Sequence, residues 1–271
     1  MPDITVFRAE ADRLVRLPIQ PDSLDDATKQ TGHGVYASLR TYAGLRVFRI
    51  TRQLDRMRSS ADLLGLDFPL DNATLRALTR RALEQAAVDP ARVRITVLHD
   101  DPSAAVIAVQ PFVPPPAYLL EEGVKVGLAA AQRENARAKD SRWTEDRSAL
   151  WAGQEDAYEI MMVDKKGHIL EGLSSNFYAV LGGTLHTADD GVLAGVARSI
   201  LLDVAAEVLP VQMEPVTTDD IPRLEAAMLT SSSRGVVPIR AIGEQAVPVS
   251  AVVRRLQEAY DARIEAEMEP L

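Results

Sequence analysis

Four prolines fall within residues 111–116, in the stretch PFVPPPAYLLEEG at 111–123. Proline fixes φ and has no backbone N–H, so such a run continues neither a helix nor a central strand. It reads as a stiff, extended connector. The chain of 271 residues then divides into segments 1–115 and 116–271. A proline-rich loop inside one domain is the alternative. On either reading the length supports a substantial core.

The first segment mixes strands with helices. GVYASLRTY (34–42) and LRVFRI (45–50) read as a hairpin turning at Ala43-Gly44. Residues 51–66 place Leu54, Met57, Ala61 and Leu64 on one helical face, with Thr51 as N-cap. Residues 72–86 form a second amphipathic helix, and RVRITVLHD and AAVIAVQPF read as strands. The second segment offers strands GVKVGLAAA, AYEIMMVD and HILEG, then a hairpin at Gly182-Gly183. A helix from Val196 turns Ile200, Leu201, Val204 and Val208 inward. Strand, serine-rich turn and strand follow in EAAMLTSSSRGVVPIRAIG, and a last helix runs from Ser250 to Met268. Intermixed helices and adjacent strands define a mixed α/β (α+β) protein.

Composition narrows the chemistry. Net charge is −9 without a basic block, which argues against a nucleic-acid partner. There are no cysteines, so disulfides, thiol nucleophiles and cysteine metal sites are excluded. No apolar stretch approaches the roughly 20 residues of a membrane span, and the N-terminus lacks a signal-peptide pattern, so a cytoplasmic setting is expected. No dinucleotide, P-loop, HExxH or GxSxG motif occurs. The four histidines (33, 99, 168, 186) show no metal spacing and read as surface or loop residues, so no metal is expected.

Four stretches could carry chemistry. The chain has five lysines against 25 arginines, and one of the five, Lys139, stands in ENARAKDSRW. A lysine, unlike an arginine, can lose its proton beside other cations such as Arg137 and Arg142. A neutral amine attacks carbonyls to form a Schiff base. Read alone, the stretch is as readily a polar loop with an exposed lysine. Glu171 ends an apolar strand in GHILEGLSSNFY, either solvated or buried against a partner such as a pyridinium nitrogen. GVLAGVARS (191–199) enters a helix whose first N–H groups suit a phosphate. TSSSRG (230–235) is a turn of hydroxyls and amides that could hold an anion. Each of the last two also has a plain structural meaning.

The order and spacing of these pieces resemble the class IV, or fold type IV, pyridoxal-phosphate aminotransferases. This group includes branched-chain and D-amino acid aminotransferases, (R)-selective amine transaminases and 4-amino-4-deoxychorismate lyases. The likeness runs from about residue 30 to 245, through GVYASLRTYAGLRVFRITRQLDRMRSSADLLGL, AKDSRW, VDKKGHILEGLSSNFYAV, GVLAGVARSILL and MLTSSSRGVVPI. LEGLSSNFY is the most diagnostic stretch.

The resemblance implies a small N-terminal α/β domain and a larger C-terminal pseudo-barrel domain, holding pyridoxal 5′-phosphate between them in a homodimer. It implies that Lys139 binds the cofactor aldehyde and moves the substrate proton, and that Glu171 pairs with the pyridine nitrogen. Arg56, Val196, Ala197 and Ser232 match phosphate residues. Leu193 matches an aliphatic residue against the ring, and Asn176 a position beside the site. Tyr36, Arg40, Arg94, Trp143 and Ser233 fall where substrate residues are expected, and two pocket arginines would favour dicarboxylic acceptors. Four departures set the chain apart from standard branched-chain enzymes: Ala37 for a glutamate, Thr144 for a tyrosine, Gln53 for a histidine, and GVA for GIT at the helix start. The implied activity is amino transfer from an amino acid or primary amine to a 2-keto acid. Release of pyruvate by a 4-amino-4-deoxychorismate lyase is the alternative within the family, and a cofactor-free protein the alternative outside it.

Overall fold

A computed structural model describes residues 3–10, 13–133 and 136–271. In chain order it contains β1 (Thr5–Glu10), β2 (Arg13–Arg16), α1 (Leu24–Thr31), β3 (Gly34–Tyr42), β4 (Arg46–Phe48), α2 (Ile50–Leu63), α3 (Asn72–Ala86), β5 (Ala91–Leu98) and β6 (Ala104–Pro111). There follow α4 (Ala117–Glu121), β7 (Val124–Ala130), α5 (Trp143–Asp146), β8 (Glu159–Val163), β9 (Ile169–Gly172), β10 (Asn176–Leu181), β11 (Thr184–His186) and α6 (Val196–Ala205). The chain closes with β12 (Val211–Gln212), β13 (Ala226–Ser231), β14 (Gly235–Ile242), β15 (Gln245–Ala246), α7 (Ala251–Ala266) and β16 (Met268–Pro270). Two compact units form: Met1–Val113 with Ala138–Asp146 and Glu267–Leu271, and Pro114–Arg137 with Arg147–Ala266.

The first unit is built on a seven-stranded sheet, ordered β16-β4-β3-β5-β6-β1-β2. Alternation along β3 and β5 decides what each face does. Val35, Ala37, Leu39, Val93, Ile95 and Val97 join Leu54, Met57, Leu75 and Leu78 of α2 and α3 in one core. The opposite face carries Tyr36, Ser38 and Arg40, paired across the ladder with Thr96, Arg94 and Arg92. Part of this face lies under α1, where Leu24 and Ala27 meet Val106 and Ala108. The α2 start departs from the sequence expectation. The N-cap is Arg49, in the left-handed region at φ 43°, and not Thr51. The reason is tertiary: Ile50 N–H donates to Glu269 Oε1 at 3.1 Å, so a carboxylate on the strand β16 replaces the local hydroxyl cap.

In the second unit, β10-β13-β14-β7-β8-β9 form a ring, because β9 returns to pair with β10. Val124, Val126, Met161, Ile169, Phe177, Leu229, Val237 and Ile239 bring apolar side chains from all six strands into one cluster. Closure satisfies the edge groups that an open sheet would expose. Helix α6 packs on α7 and β13. It ends at Ala205, and Val208 is only half-buried beyond it. The chain turns early there because Pro210 O accepts from Leu185 N–H beside β11. Helix α7 likewise stops at Ala266, leaving Met268 to β16. No helix among the described residues is long and apolar enough to cross a membrane.

Candidate active site

Lys139 lies on a strap that lengthens the free edge of β3. Tyr36 N–H donates to Lys139 O at 3.0 Å, and Ser141 N–H to Gly34 O at 2.9 Å, around an antiparallel bridge between Val35 and Asp140. Gly34 N–H also donates to Ser141 Oγ at 2.9 Å. Glycine is required at 34 because a Cβ would stand 1.8 Å from Val97 O. Thr144, in the place of the family tyrosine, is buried and donates to Ser141 O at 2.7 Å, closing the turn into α5. Trp143 is half-buried at the start of that helix.

The strap also meets α2. Ser60 Oγ accepts from Lys139 N–H at 3.1 Å and donates to Arg56 O at 2.9 Å. Arg56 and Ser60 stand one turn apart on the same helix face. One serine hydroxyl thus joins the candidate phosphate arginine to the candidate reactive lysine. No sequence signal marks this serine, because a mid-helix serine usually bonds only its own preceding turn. The Lys139 ammonium lies 4.7 Å from the centre of the Tyr36 ring. The flanking cations are engaged by carboxylates, Arg142 by Asp140 and Arg137 by Asp190, and are not directed at the amine.

The two strand arginines differ. Arg94 is buried, donates to Leu24 O, Thr28 Oγ1 and Asp25 Oδ1 at 2.8, 2.9 and 2.6 Å, and lies 4.8 Å from the Tyr36 ring centre. Its terminal amines are thereby committed to α1. Arg40 instead stacks on Tyr42 and Phe112 at 4.4 and 3.7 Å; the Nε of both arginines is buried with no hydrogen-bond partner among the described residues.

A second cluster forms around Glu171 in the closed ring. Pairing runs Met161↔Gly172 and then Val163↔Ile169, so β9 advances three residues against two on β8. The extra residue is a β-bulge, a device that re-aims side chains. Ile169 consequently joins the ring's apolar cluster, while Glu171 pairs with Asn176 on the opposite face. Glu171 is 2% exposed. Its Oε2 accepts from Leu193 N–H at 2.9 Å and Asn176 Nδ2 at 3.2 Å, and Arg133 Nη1 lies 3.5 Å from Oε1. Asn176 donates again to Leu193 O at 2.9 Å. Tyr178, two residues along β10, is fully buried with its hydroxyl 3.1 Å from Thr230 Oγ1, and burial pushes its phenol pKa up.

Gly195 follows directly as the N-cap of α6, and no side chain caps that helix. A Cβ at 195 would lie 2.4 Å from Asn176 Oδ1, so only glycine lets the helix start approach the Glu171 cluster. The opening N–H groups of α6, at Val196 and Ala197, therefore have no side-chain acceptor. Five sequence candidates (Glu171, Asn176, Leu193, Val196 and Ala197) converge here. Ser232 and Ser233 lie in the β13–β14 turn, half-buried, with hydroxyls that bond no other described residue. Arg234 fixes that turn through Ser231 Oγ, Ser174 Oγ and the buried Glu159, at 2.9, 2.9 and 3.0 Å. Burial would lower its pKa, but the charges and hydrogen bonds of Glu159 and Tyr158 together outweigh this and raise it. Arg133, Glu159 and Gly195 were missed as site residues, since nothing local marks which distant group each one meets.

The architecture matches known folds. A branched-chain aminotransferase from Thermoproteus uzoniensis superposes with a TM-score of 0.81, at 20% identity over 99% of each chain. A hypothetical aminotransferase from Mycobacterium tuberculosis, solved in a PLP-bound form, gives 0.79 at 19% identity, over 96% of this chain and 99% of that one. The fold is therefore that of the fold type IV aminotransferases.

Sequence comparison takes the assignment from fold to family. Residues 34–242 match the amino-transferase class IV family, and the chain belongs to it. Class IV aminotransferases use pyridoxal 5′-phosphate. A branched-chain-amino-acid aminotransferase from Pseudomonas aeruginosa is 25% identical, covering 86% of this chain and 84% of that protein. A D-alanine aminotransferase from Staphylococcus aureus is 24% identical, covering 90% and 93%.

Proposed function

We propose that the protein moves an amino group from an amino acid or primary amine to a 2-keto acid with pyridoxal 5′-phosphate, and that Lys139 is its reactive amine. The observation that carries this reading is the buried Glu171 carboxylate, held by Leu193 N–H and Asn176 beside the uncapped start of α6. A carboxylate and an array of unmatched N–H groups are the donor set that a protonated pyridine and a phosphate require. When bound, the cofactor supplies the electron sink for a carbanion at the substrate α-carbon.

The chain's own residues do the rest. Lys139 Nζ would hold the cofactor through its aldehyde and would serve as the general base for the substrate α-proton. Glu171 keeps the pyridine nitrogen protonated. Val196 and Ala197 N–H, Arg56 and Ser232 take the phosphate, and Leu193 packs on the ring, with Asn176 orienting Glu171. Tyr36, Trp143 and Ser233 border the substrate. Arg40, whose guanidinium is not tied to α1, is the arginine suited to a substrate carboxylate, while Arg94 spends its terminal amines on α1 and props Tyr36.

Borohydride reduction followed by peptide mass spectrometry tests the central assignment. The wild-type protein loaded with pyridoxal phosphate should carry the reduced adduct on Lys139, and Lys139→Ala should carry none. An adduct retained in the variant would refute the role of Lys139.

A further inference from the structure

Two of the four histidines, scattered in sequence, come together beside the strap. His99 N–H donates to His33 O at 2.9 Å, extending the β3–β5 ladder one step past Gly34↔Leu98. From there the rings reach the two residues that follow Lys139. His99 Nε2 lies 3.2 Å from both carboxylate oxygens of Asp140. His33 Nδ1 lies 3.3 Å from Ser141 Oγ, and its Nε2 3.3 Å from Glu145 Oε1. Asp140 is 14% exposed at its side chain and Ser141 fully buried.

Ser141, His33 and Glu145 form a row of the kind that activates a nucleophile. Burial rules that use out, because no substrate reaches Ser141. Its oxygen already accepts from Gly34 N–H, which directs the hydroxyl proton to His33 Nδ1 and leaves the His33 Nε2 proton facing Glu145. The row is a fastener. Successive residues of an extended segment point to opposite sides. Anchors on both 140 and 141 therefore stop the strap from rolling about its own axis, a motion that would swing the neighbouring lysine.

We propose that His33 and His99 are positioning residues for Lys139, holding the strap in register on the edge of β3 and fixing the direction of the amine. The inference rests on the reactive role assigned to Lys139.

The test is hydrogen–deuterium exchange of the full chain without cofactor, in His33→Phe, His99→Phe and the double variant, beside His33→Gln and His99→Gln. Exchange at the Lys139, Ser141 and Arg142 amides should quicken by about tenfold in each phenylalanine variant, the scale of one lost hydrogen bond to a charged or buried partner. The β5 amides should hold their rates. The glutamine variants, which keep a side-chain donor, should recover most of the protection. In the loaded enzyme, kcat should fall about tenfold with the donor KM nearly unchanged. Wild-type exchange at the strap in either folded phenylalanine variant would overturn the proposal, as would glutamine variants that exchange as fast as phenylalanine ones. An adduct retained by Lys139→Ala would instead refute the parent reading, whatever the exchange rates.

Discussion

Lys139 and Glu171 are held by opposite means. The lysine rides on a strap fixed by backbone bonds to a sheet edge and by short contacts to Ser60, His33 and His99. The glutamate sits on a bulge in a closed ring, almost without exposure, with the Leu193 N–H and the Asn176 side-chain amide donating to one oxygen. Edge pairing with few buried apolar neighbours belongs to the low-stability end of a fold, and a closed ring to the high end. The difference suits the two roles proposed. A nucleophile that doubles as a base must move between atoms, whereas a counter-ion to a fixed ring nitrogen works best without moving.

Removing Glu171's charge should lower turnover strongly and leave the fold intact. Glu171→Gln keeps an oxygen for Leu193 N–H, so thermal stability should stay near wild type while kcat falls about 10²- to 10³-fold, the scale of one lost electrostatic stabiliser. Normal turnover in steady-state assays would mean that Glu171 does not face the pyridine nitrogen.

Two glycines compare the regions through packing. Gly34→Ala drives a Cβ into the Val97 carbonyl, and Gly195→Ala drives one toward Asn176 Oδ1. The first collision is with backbone and should cost about 3 kcal/mol or more; the second is with a side chain that can yield, at about 1–3 kcal/mol. Denaturant unfolding of the two variants measures both. The reverse order would mean that the β5 backbone at Val97 yields more readily than the Asn176 side chain. Loosening of Asn176 should also weaken cofactor retention in Gly195→Ala, and equilibrium dialysis reads that separately.

Acid gives the smallest expected effect. Burial alone would raise the Asp140 pKa, but bonds from Arg142 and His99 outweigh it and hold the carboxyl below its ordinary 3.8. A depressed folded-state pKa contributes stability that is fully present above the unfolded value and is lost as pH falls through the folded one. Strap exchange, corrected for intrinsic rates, should therefore be flat from pH 7 to 5 and rise only below about 4. A rise already at pH 6 would mean that Asp140 is not the group whose protonation loosens the strap.

Much of this was legible in the sequence, and the limits were physical. Alternation in GVYASLRTY marked β3 over the same residues that form it, and the 3.6 period marked α3 from Asn72 to Ala86. Local patterns report local faces, so they carried that far. The α2 cap was misread because Glu269 supplies it from the far end of the chain. The bulge at Leu170–Glu171 arises from pairing with β8, which no window on β9 contains. Ser60, Arg133 and the His33–His99 pair became visible only once long-range contacts placed them beside Lys139 or Glu171. For the site, the sequence supplied residue identities through family resemblance, while their supports had to come from the fold.

The central claim is best tested by the visible absorption spectrum of the protein loaded with pyridoxal phosphate, before and after single amino donors. L-leucine, L-glutamate, D-alanine, D-glutamate and an (R)-arylalkylamine form the panel. A violet-region band, bleached by at least one donor and restored by a 2-keto acid, is the predicted result. A band that no donor changes, or no band at all, would contradict the assignment of this chain as a working transaminase with Lys139 as its reactive amine.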